Sequence, residues 1–259
     1  MTIPPRYAPC FVLQKAQVLC VIWFEDALWH HGVPTCVFDL YLLVRDIDLA
    51  AEVLLNKGWK DAPPPTKFTF NFLDPHPEIA RRRLDAPGAN EINPPGEVSP
   101  EPATTVLLKA ADFKFPAEKF APTPASLEGY FPPLPVLTDA LIDSLLDAPH
   151  DCRLQSYMAL QLSYLYGYVC ELKEQSFSKV IKYENRQFHH DALSGVSVGT
   201  LPIITIERQV RDELRKECRM EGRLSTSTTA PLRRVASIEA ITRYSALKEA
   251  ELVRKMPQY

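Results

Sequence analysis

The chain has no uninterrupted apolar run of 18 residues, the length that a membrane-spanning helix needs. Its N-terminus, MTIPPRYAPC, lacks the basic start and the apolar core of a secretory signal peptide. The six cysteines lie far apart and form no C-x-x-C pair, which is typical of reduced cysteines inside cells. Together these absences predict a soluble, cytoplasmic protein without a membrane partner.

Several signatures of common enzymes are also missing. The sequence contains no H-E-x-x-H, no G-x-x-x-x-G-K-[ST] and no G-x-G-x-x-G, which argues against zinc proteases, P-loop nucleotidases and dinucleotide-binding enzymes. A large excess of positive charge is lacking too, since 29 Lys and Arg face 32 Asp and Glu. A net charge of −3 disfavours binding to nucleic acid as the main role, because phosphate contacts need a basic surface.

Proline is abundant where regular structure should be sparse. Sixteen of the 24 prolines fall between Pro63 and Pro135. Because proline fixes φ and removes a backbone donor, this stretch is predicted to be rich in loops with only short regular elements. Within it, residues 74–102 are polar and rich in Pro and Gly, and they are predicted to form one long surface loop.

The segment before the prolines predicts alternating short elements. A β-prone run at 18–21 precedes a helix at 23–31, and the apolar run CVFDLYLLV at 36–44 predicts a strand covered on both faces. Asp46 is placed to cap a following helix, and Gly58 to end it. These elements indicate helices packed against a sheet.

Further strands and helices follow from residue periodicity. TKFTFNF at 66–72 alternates Phe with polar residues, and TTVLLKA at 104–110 is apolar, so both are predicted strands. From Thr138 onward the apolar residues recur at helical spacing. The predicted fold is α+β, with a small mixed sheet flanked by helices at 1–135 and a helical domain at 136–259. The predicted helices of the second part lie near 141–146, 154–172, 206–218 and 237–256.

One carboxylate interrupts the most apolar strand. Asp39 stands in the middle of CVFDLYLLV. Burying it there costs roughly 2–7 kcal/mol unless a hydrogen bond or a cation compensates. A ligand or metal site would provide the compensation, and so would a structural pair with a neighbouring residue such as an arginine. Asp39 is therefore the first candidate for a functional residue.

The pattern G-V-P-T-x-x-x-D-L-Y, starting at Gly32, resembles the nucleotidyltransferase fold, most closely a fungal branch of it. The resemblance covers about residues 17–115. In that fold a strand carries D-x-D or D-x-E, because residues two apart on a strand point to one side and can share Mg²⁺. Asp39 matches the first acid, whereas Tyr41 stands at the position of the second. A protonated phenol is a poor Mg²⁺ ligand.

The resemblance also implies the other members of a site. A later strand would supply a third acid, for which Asp112 is the candidate, and Asp39 would be the metal ligand. The turn from Gly32 to Thr35 would cradle phosphate through backbone amides, and Lys109 would contact phosphate. From the residues alone, the polar segment 182–195 is either a loop that closes over the pocket, with Arg186 on phosphate, or a solvated connection.

Three functions remain open. The preferred hypothesis is a divergent family member without catalysis, a pseudoenzyme that binds a nucleotide or another phosphorylated ligand near Asp39. The first alternative is an active metal-dependent transferase that moves a nucleotidyl group onto a hydroxyl, using Asp39 and Asp112. The second alternative is a non-enzymatic interaction protein that holds a protein partner through the charged helical region 203–256.

Overall fold

The computed structural model describes residues 4–63, 73, 79–87, 104–119, 126–149, 153–196 and 201–220. The chain divides into two compact units, Met1–Leu141 and Ile142–Tyr259. The architecture is α+β, as predicted, with a mixed sheet and flanking helices. Within the described ranges, no helix is long and apolar enough to cross a membrane.

The first unit is built on a five-stranded sheet with the order β1-β2-β5-β4-β3. β2 and β5 run parallel, with Leu40 opposite Thr105, and the other neighbouring pairs are antiparallel. The N-terminal ends of β2 and β5 therefore share one edge of the sheet with the C-terminal end of β4. The strands are β1 (Cys20–Trp23), β2 (Leu40–Val44), β3 (Lys60–Asp61), β4 (Arg81–Asp85) and β5 (Thr105–Lys109).

One face of this sheet forms a single apolar core together with two helices, α1 (Ala8–Lys15) and α3 (Ile47–Leu55). Strand residues at every second position point to the same face, so alternate residues of β2 enter this core. Each fully buried aliphatic side chain stabilises the fold by roughly 1.5–3 kcal/mol. The core includes Leu13, Ile22, Leu40, Leu42, Val44, Ala50, Leu54, Leu84 and Leu107.

The opposite face carries an aromatic cluster at the start of α2 (Glu25–His30). The ring of Phe24 lies 5.1 Å from the ring of Tyr41 and 5.4 Å from that of Phe113, both edge to face, and Trp23 packs at 5.6 Å on Phe115. Phe24 has a φ of 55°, which side chains other than Gly rarely adopt. The buried aromatic contacts hold this strained turn between β1 and α2 in place.

The predicted helix cap at Asp46 is confirmed. The Asp46 carboxylate accepts a hydrogen bond of 3.0 Å from the backbone N–H of Leu49, in the first turn of α3. Gly58 follows the helix with a φ of 95°, as expected of a residue that ends it. These local signals were sufficient because both act within one helical turn.

The second unit is helical in the described ranges, as predicted. The apolar spacing near 154–172 corresponds to α5, and the stripe at 206–218 lies within α8. α4 crosses the boundary between the two units. The helices are α4 (Leu134–Asp147), α5 (Arg153–Tyr168), α6 (Phe177–Val180), α7 (Arg186–Leu193) and α8 (Leu201–Met220).

Three predictions of local structure are wrong. The strand predicted at 36–44 begins only at Leu40, because pairing with the neighbouring strand starts there, with the Leu40 N–H on the Thr104 carbonyl. The loop predicted at 74–102 contains β4, whose residues RRRLD show no alternation of apolar and polar side chains. The polar loop predicted at 182–195 contains α7. The strand predicted at 66–72 and the helix predicted at 237–256 lie outside the described residues.

Replacing the helix cap tests the local energetics of α3. Asp46→Ala removes the acceptor of the Leu49 amide, so we expect a loss of about 1 kcal/mol in the free energy of unfolding, measured by urea denaturation. Asp48→Ala is the control, because its side chain is 92% exposed and 4.0 Å from Arg82. Equal losses in the two variants would contradict the capping role.

Candidate functional site

A buried ion pair fixes the chain beside Asp39. Arg6 donates through Nε and Nη2 to the two carboxylate oxygens of Asp26, at 2.7 and 2.6 Å, and Tyr7 donates its hydroxyl to the same carboxylate at 3.0 Å. Asp26 is fully buried. The same guanidinium donates to the carbonyls of Phe38 and Asp39, at 2.8 and 3.2 Å. Arg6 thus joins α2 to the residues that precede β2.

The protonation states of this cluster are fixed by its surroundings. Burial lowers the pKa of Arg6, but the hydrogen bond and the charge of Asp26 outweigh that effect and leave the pKa raised. Burial, and then the negative charge of Asp26, raise the pKa of Tyr7 well above its ordinary value. Tyr7 is therefore a hydrogen-bond donor at every physiological pH.

Asp39 lies at the edge of the sheet rather than inside a strand. It directly precedes β2, its side chain is 27% exposed, and its Oδ2 accepts a hydrogen bond of 2.7 Å from Nη1 of Arg83. The expectation of a buried carboxylate in the middle of a strand is therefore wrong. The sequence analysis named a neighbouring arginine as one possible partner of Asp39. That arginine is Arg83 on β4, in the stretch that was predicted to be a loop.

The guanidinium of Arg83 has donors to spare. Its side chain is 18% exposed and gives one N–H to Asp39. Its Nε is buried and has no acceptor among the described residues. A guanidinium carries five N–H donors in a planar fork that matches an oxyanion. Arg83 can therefore bind an anionic oxygen without giving up Asp39.

A second carboxylate belongs to the same edge. Asp85, at the end of β4, accepts a hydrogen bond of 2.7 Å from the Thr104 hydroxyl, and Thr104 directly precedes β5. By strand register, Asp39, Thr104 and Asp85 occupy neighbouring places in one row. We call Asp39, Arg83, Asp85 and Thr104 the Asp39 edge. Sequence reasoning missed three of its members, Arg83, Asp85 and Thr104, because the polar, Pro- and Gly-rich composition around RRRLD favoured a loop.

Asp112 and Lys109 lie at the other end of the sheet. Lys109 is the last residue of β5, and Asp112 follows it in an exposed 3₁₀ turn. Asp39 precedes the parallel strand β2, so five residue steps of about 3.3 Å separate the two ends, roughly 16 Å. The structure therefore does not bring Asp112 to Asp39, although the sequence grouped them.

The predicted phosphate turn lies between α2 and β2. Gly32 follows the helix with a φ of 87°, and the Thr35 hydroxyl donates to the Cys36 carbonyl at 3.4 Å. This turn follows the C-terminal end of α2, where a helix presents carbonyl oxygens rather than free N–H groups. The helix terminus therefore does not favour a phosphate there.

Arg186 belongs to the second unit. It is the first residue of α7 and is buried, with Nη2 donating to the Lys179 carbonyl at 3.3 Å and the guanidinium 5.7 Å from the ring centre of Tyr183. These contacts fix the side chain within the helical unit. The sequence placed Arg186 in a polar segment that was either a closing loop or a solvated connection, and a packed helix lies there instead.

The donors near Asp39 do not fit a Mg²⁺ ion. Asp39 is held by the Arg83 cation, and Tyr41, two residues further on, is buried with its ring against Phe24. No cluster of three or more His, Cys, Asp or Glu suited to a metal occurs among the described residues. Mg²⁺ prefers several oxygen ligands in octahedral geometry, which the two carboxylates of the edge, one paired with Arg83 and one bonded to Thr104, do not supply. We therefore derive no chemical step from a metal.

The second unit buries a separate set of polar groups. Asp191 on α7 accepts a hydrogen bond of 2.9 Å from the Gln187 side chain and is hydrogen-bonded to Glu207 of α8. Burial, followed by the charge and hydrogen bond of Asp191, raises the pKa of Glu207 to about 9. The two carboxyl groups therefore share a proton at neutral pH, which joins α7 to α8.

Two further polar contacts of this unit are structural. His189 Nδ1 lies 3.0 Å from the Tyr166 hydroxyl, and burial, followed by the charge of His190, lowers the pKa of His189 to about 4. A neutral, buried imidazole of this kind holds α5 to α7. Asp143 is also buried, and its two oxygens each lie 2.6 Å from a cation, Lys182 and Arg215. The Asp39 edge, in contrast, reaches solvent.

Comparison of the chain with protein-family models, curated proteins and solved structures finds no match. Function has to be inferred from the contacts of the molecule itself. The Asp39 edge is the better candidate site, because its charged groups are partly exposed, whereas the carboxyl pair of the second unit is sealed.

Breaking the buried ion pair should destabilise the first unit. Asp26→Asn leaves the Arg6 guanidinium without its counter-charge, so we expect a loss of roughly 3–5 kcal/mol in the free energy of unfolding. The control is Asp61→Asn, which removes an exposed partner of Arg82 and should cost less than about 1 kcal/mol. Similar small losses in both variants would show that the Arg6 pair is dispensable.

The shared proton of Glu207 predicts a pH dependence. A carboxyl group whose pKa is raised in the folded state contributes least to protein stability at high pH. The contribution of Glu207 to the free energy of unfolding is therefore complete below about pH 4.5 and declines up to about pH 9. Glu207→Gln removes this titration. Relative to the wild type, the variant's free energy of unfolding should therefore increase by up to roughly 1.4 kcal/mol for each pH unit between pH 5.5 and 8.5. Denaturant melts at several pH values measure this difference.

The exposed Glu213→Gln on the same helix is the matched control. It should follow the wild type at every pH. Parallel pH profiles for the wild type and Glu207→Gln would mean that Glu207 is ionised in the folded protein.

Proposed function

We propose that the first unit is a non-catalytic binding domain for a nucleotide or a similar phosphorylated ligand, which it holds at the Asp39 edge. The supporting observation is the Arg83 guanidinium, which is partly exposed and paired to Asp39 at 2.7 Å, and whose buried Nε has no acceptor among the described residues. A buried donor without a partner costs about 1–3 kcal/mol. A ligand's anionic oxygen can meet the part of the Arg83 side chain that reaches solvent, beside its pair with Asp39.

Asp39 prepares the arginine for such a ligand. A free arginine side chain loses close to 2 kcal/mol of rotamer entropy when a ligand fixes it. At this edge the ion pair with Asp39 already restricts the guanidinium of Arg83. Part of its rotamer entropy is therefore lost when the protein folds rather than when a ligand binds. Phosphate can then meet a donor fork whose orientation is set in advance.

The carboxylates of the edge suit the hydroxyl groups of a ribose. Asp39 Oδ1 and Asp85 Oδ2 receive no hydrogen bond from the residues that the structure describes, since the bond from Arg83 and the bond from Thr104 go to the other oxygen of each carboxylate. A carboxylate accepts hydrogen bonds from sugar hydroxyls, as in dinucleotide-binding folds. A ligand that carries both phosphate and hydroxyl groups therefore fits this edge better than inorganic phosphate.

The proposed absence of catalysis follows from the same residues. Nucleotidyl transfer relies on carboxylates grouped around a divalent ion. Tyr41 stands where the resemblance places the second acid, and Asp112 follows the far end of β5, which is roughly 16 Å along the sheet from Asp39. The active transferase therefore has less support than the binding domain.

Ligand-dependent melting tests the proposal. We expect AMP, ATP and ribose 5-phosphate to raise the melting temperature of the full chain saturably, because a ligand at 100 times its Kd adds about 2.7 kcal/mol of stability. Arg83→Gln should weaken binding by about 10-fold or more, since a charge-assisted hydrogen bond is lost. Isothermal titration gives the affinities.

The chain offers a matched control on the same strand. Arg82 points to the opposite face of β4 and pairs with Asp61, so Arg82→Gln should bind the ligands as the wild type does. No melting shift with any of the three ligands, or equal affinities for the two arginine variants, would reject the site. Release of pyrophosphate from ATP and Mg²⁺ that is lost in Asp39→Asn would reject the claim that catalysis is absent.

A further inference from the structure

A groove of about 440 Å³ lies at the other end of β2, where α3 begins. This volume is within the range of about 300–1,000 Å³ that small-molecule sites occupy. The walls come from two connections of the first unit, one between α1 and β1 and one between β2 and α3. The lining residues are Gln17, Val18, Leu19, Arg45, Asp46 and Leu49.

The backbone holds both walls in place. Gln17 has a φ of 59°, and the N–H of Val18 returns to the Leu13 carbonyl at 2.9 Å, which makes a tight turn before β1. On the other wall, the Asp46 cap fixes Leu49 in the first turn of α3. The groove is therefore formed by ordered elements before any ligand arrives.

The groove combines aliphatic surface with a cation and a carboxylate. Leu19 is 40% exposed and Leu49 is 50% exposed, so each presents aliphatic surface to solvent. Arg45 is exposed, and no hydrogen bond or ion pair joins it to the residues that the structure describes. Apolar surface beside a few placed polar groups is typical of sites that orient an amphipathic ligand.

The local charges select a single negative charge on the ligand. The Asp46 carboxylate already accepts a hydrogen bond from the amide of Leu49. Asp48, two residues further along the chain, is exposed. Among the described residues of the lining, Arg45 is the one cation, and two carboxylates lie near the start of α3. A carboxylate head group can pair with the arginine fork and matches its single charge.

We propose that this groove binds an apolar monocarboxylate, of the class of medium-chain fatty acids. The carboxylate pairs with the guanidinium of Arg45, and the hydrocarbon chain covers Leu19 and Leu49. Removing that aliphatic surface from water favours binding. The site is independent of the Asp39 edge, because Arg45 and Asp39 flank opposite ends of β2.

Isothermal titration of the full chain with octanoate tests the headgroup and the tail separately. We expect saturable one-to-one binding of octanoate. Acetate lacks the hydrocarbon tail, 1-octanol lacks the negative charge, and octyl phosphate carries a larger negative charge than octanoate. Each of the three should bind about 10-fold more weakly than octanoate or not at all. Octyl phosphate binding more tightly than octanoate would overturn the proposal, and so would acetate or octanol binding equally well.

Variants of exposed residues place the ligand in the groove without threatening the fold. Arg45→Gln and Leu49→Gln should each weaken octanoate binding by about 10-fold, with circular dichroism and melting temperature near those of the wild type. Lys57→Gln, which removes an exposed charge after the same helix, and Leu193→Gln, at an exposed leucine of the second unit, should leave binding unchanged.

The outcomes separate this proposal from the preceding one. Undetectable octanoate binding, or wild-type affinity in both Arg45→Gln and Leu49→Gln, overturns the groove. Arg83→Gln should bind octanoate as the wild type does, so failure of nucleotide binding at the Asp39 edge leaves this result unaffected.

Discussion

The pair between Arg6 and Asp26 determines much of what surrounds it. One guanidinium joins the segment before α1, the start of α2 and the two carbonyls that precede β2. With those carbonyls engaged, pairing between β2 and β5 begins at Leu40, and Asp39 remains at the edge. There it meets Arg83 instead of an apolar interior. A contact 33 residues away in sequence thus places the residue on which the functional argument rests.

The two units bury polar groups in different ways. In the first unit, a carboxylate with no exposure is balanced by an arginine and a tyrosine hydroxyl. In the second, Asp191 and Glu207 are both carboxyl groups, and a proton retained by the pair makes their contact favourable. The first arrangement is insensitive to pH over the physiological range, whereas the second depends on it. Partly exposed charge is found at the Asp39 edge, which is why ligand binding is assigned there.

The sequence predicted features that depend on neighbouring residues better than features that depend on residues distant along the chain. The Asp46 cap and the stripes of α5 and α8 act within a few residues, and these predictions are confirmed. The position of Asp39 depends on Arg6 and on Arg83, 33 and 44 residues away, so the apolar run alone misplaced it. α7 was taken for a loop because its inward face is polar, with Gln187, His189 and Asp191 buried.

The outer strand of the sheet has a consequence for self-association. β3 is only two residues long, both are charged and exposed, and the Asp61 carboxylate is 2.7 Å from Arg82 on the neighbouring strand. Unpaired strand edges recruit other chains into intermolecular sheets, and short, charged edges discourage this. A second copy that approached β3 would gain few backbone hydrogen bonds and would have to displace solvated ions. This margin of the sheet thus protects the protein against growth into fibrils.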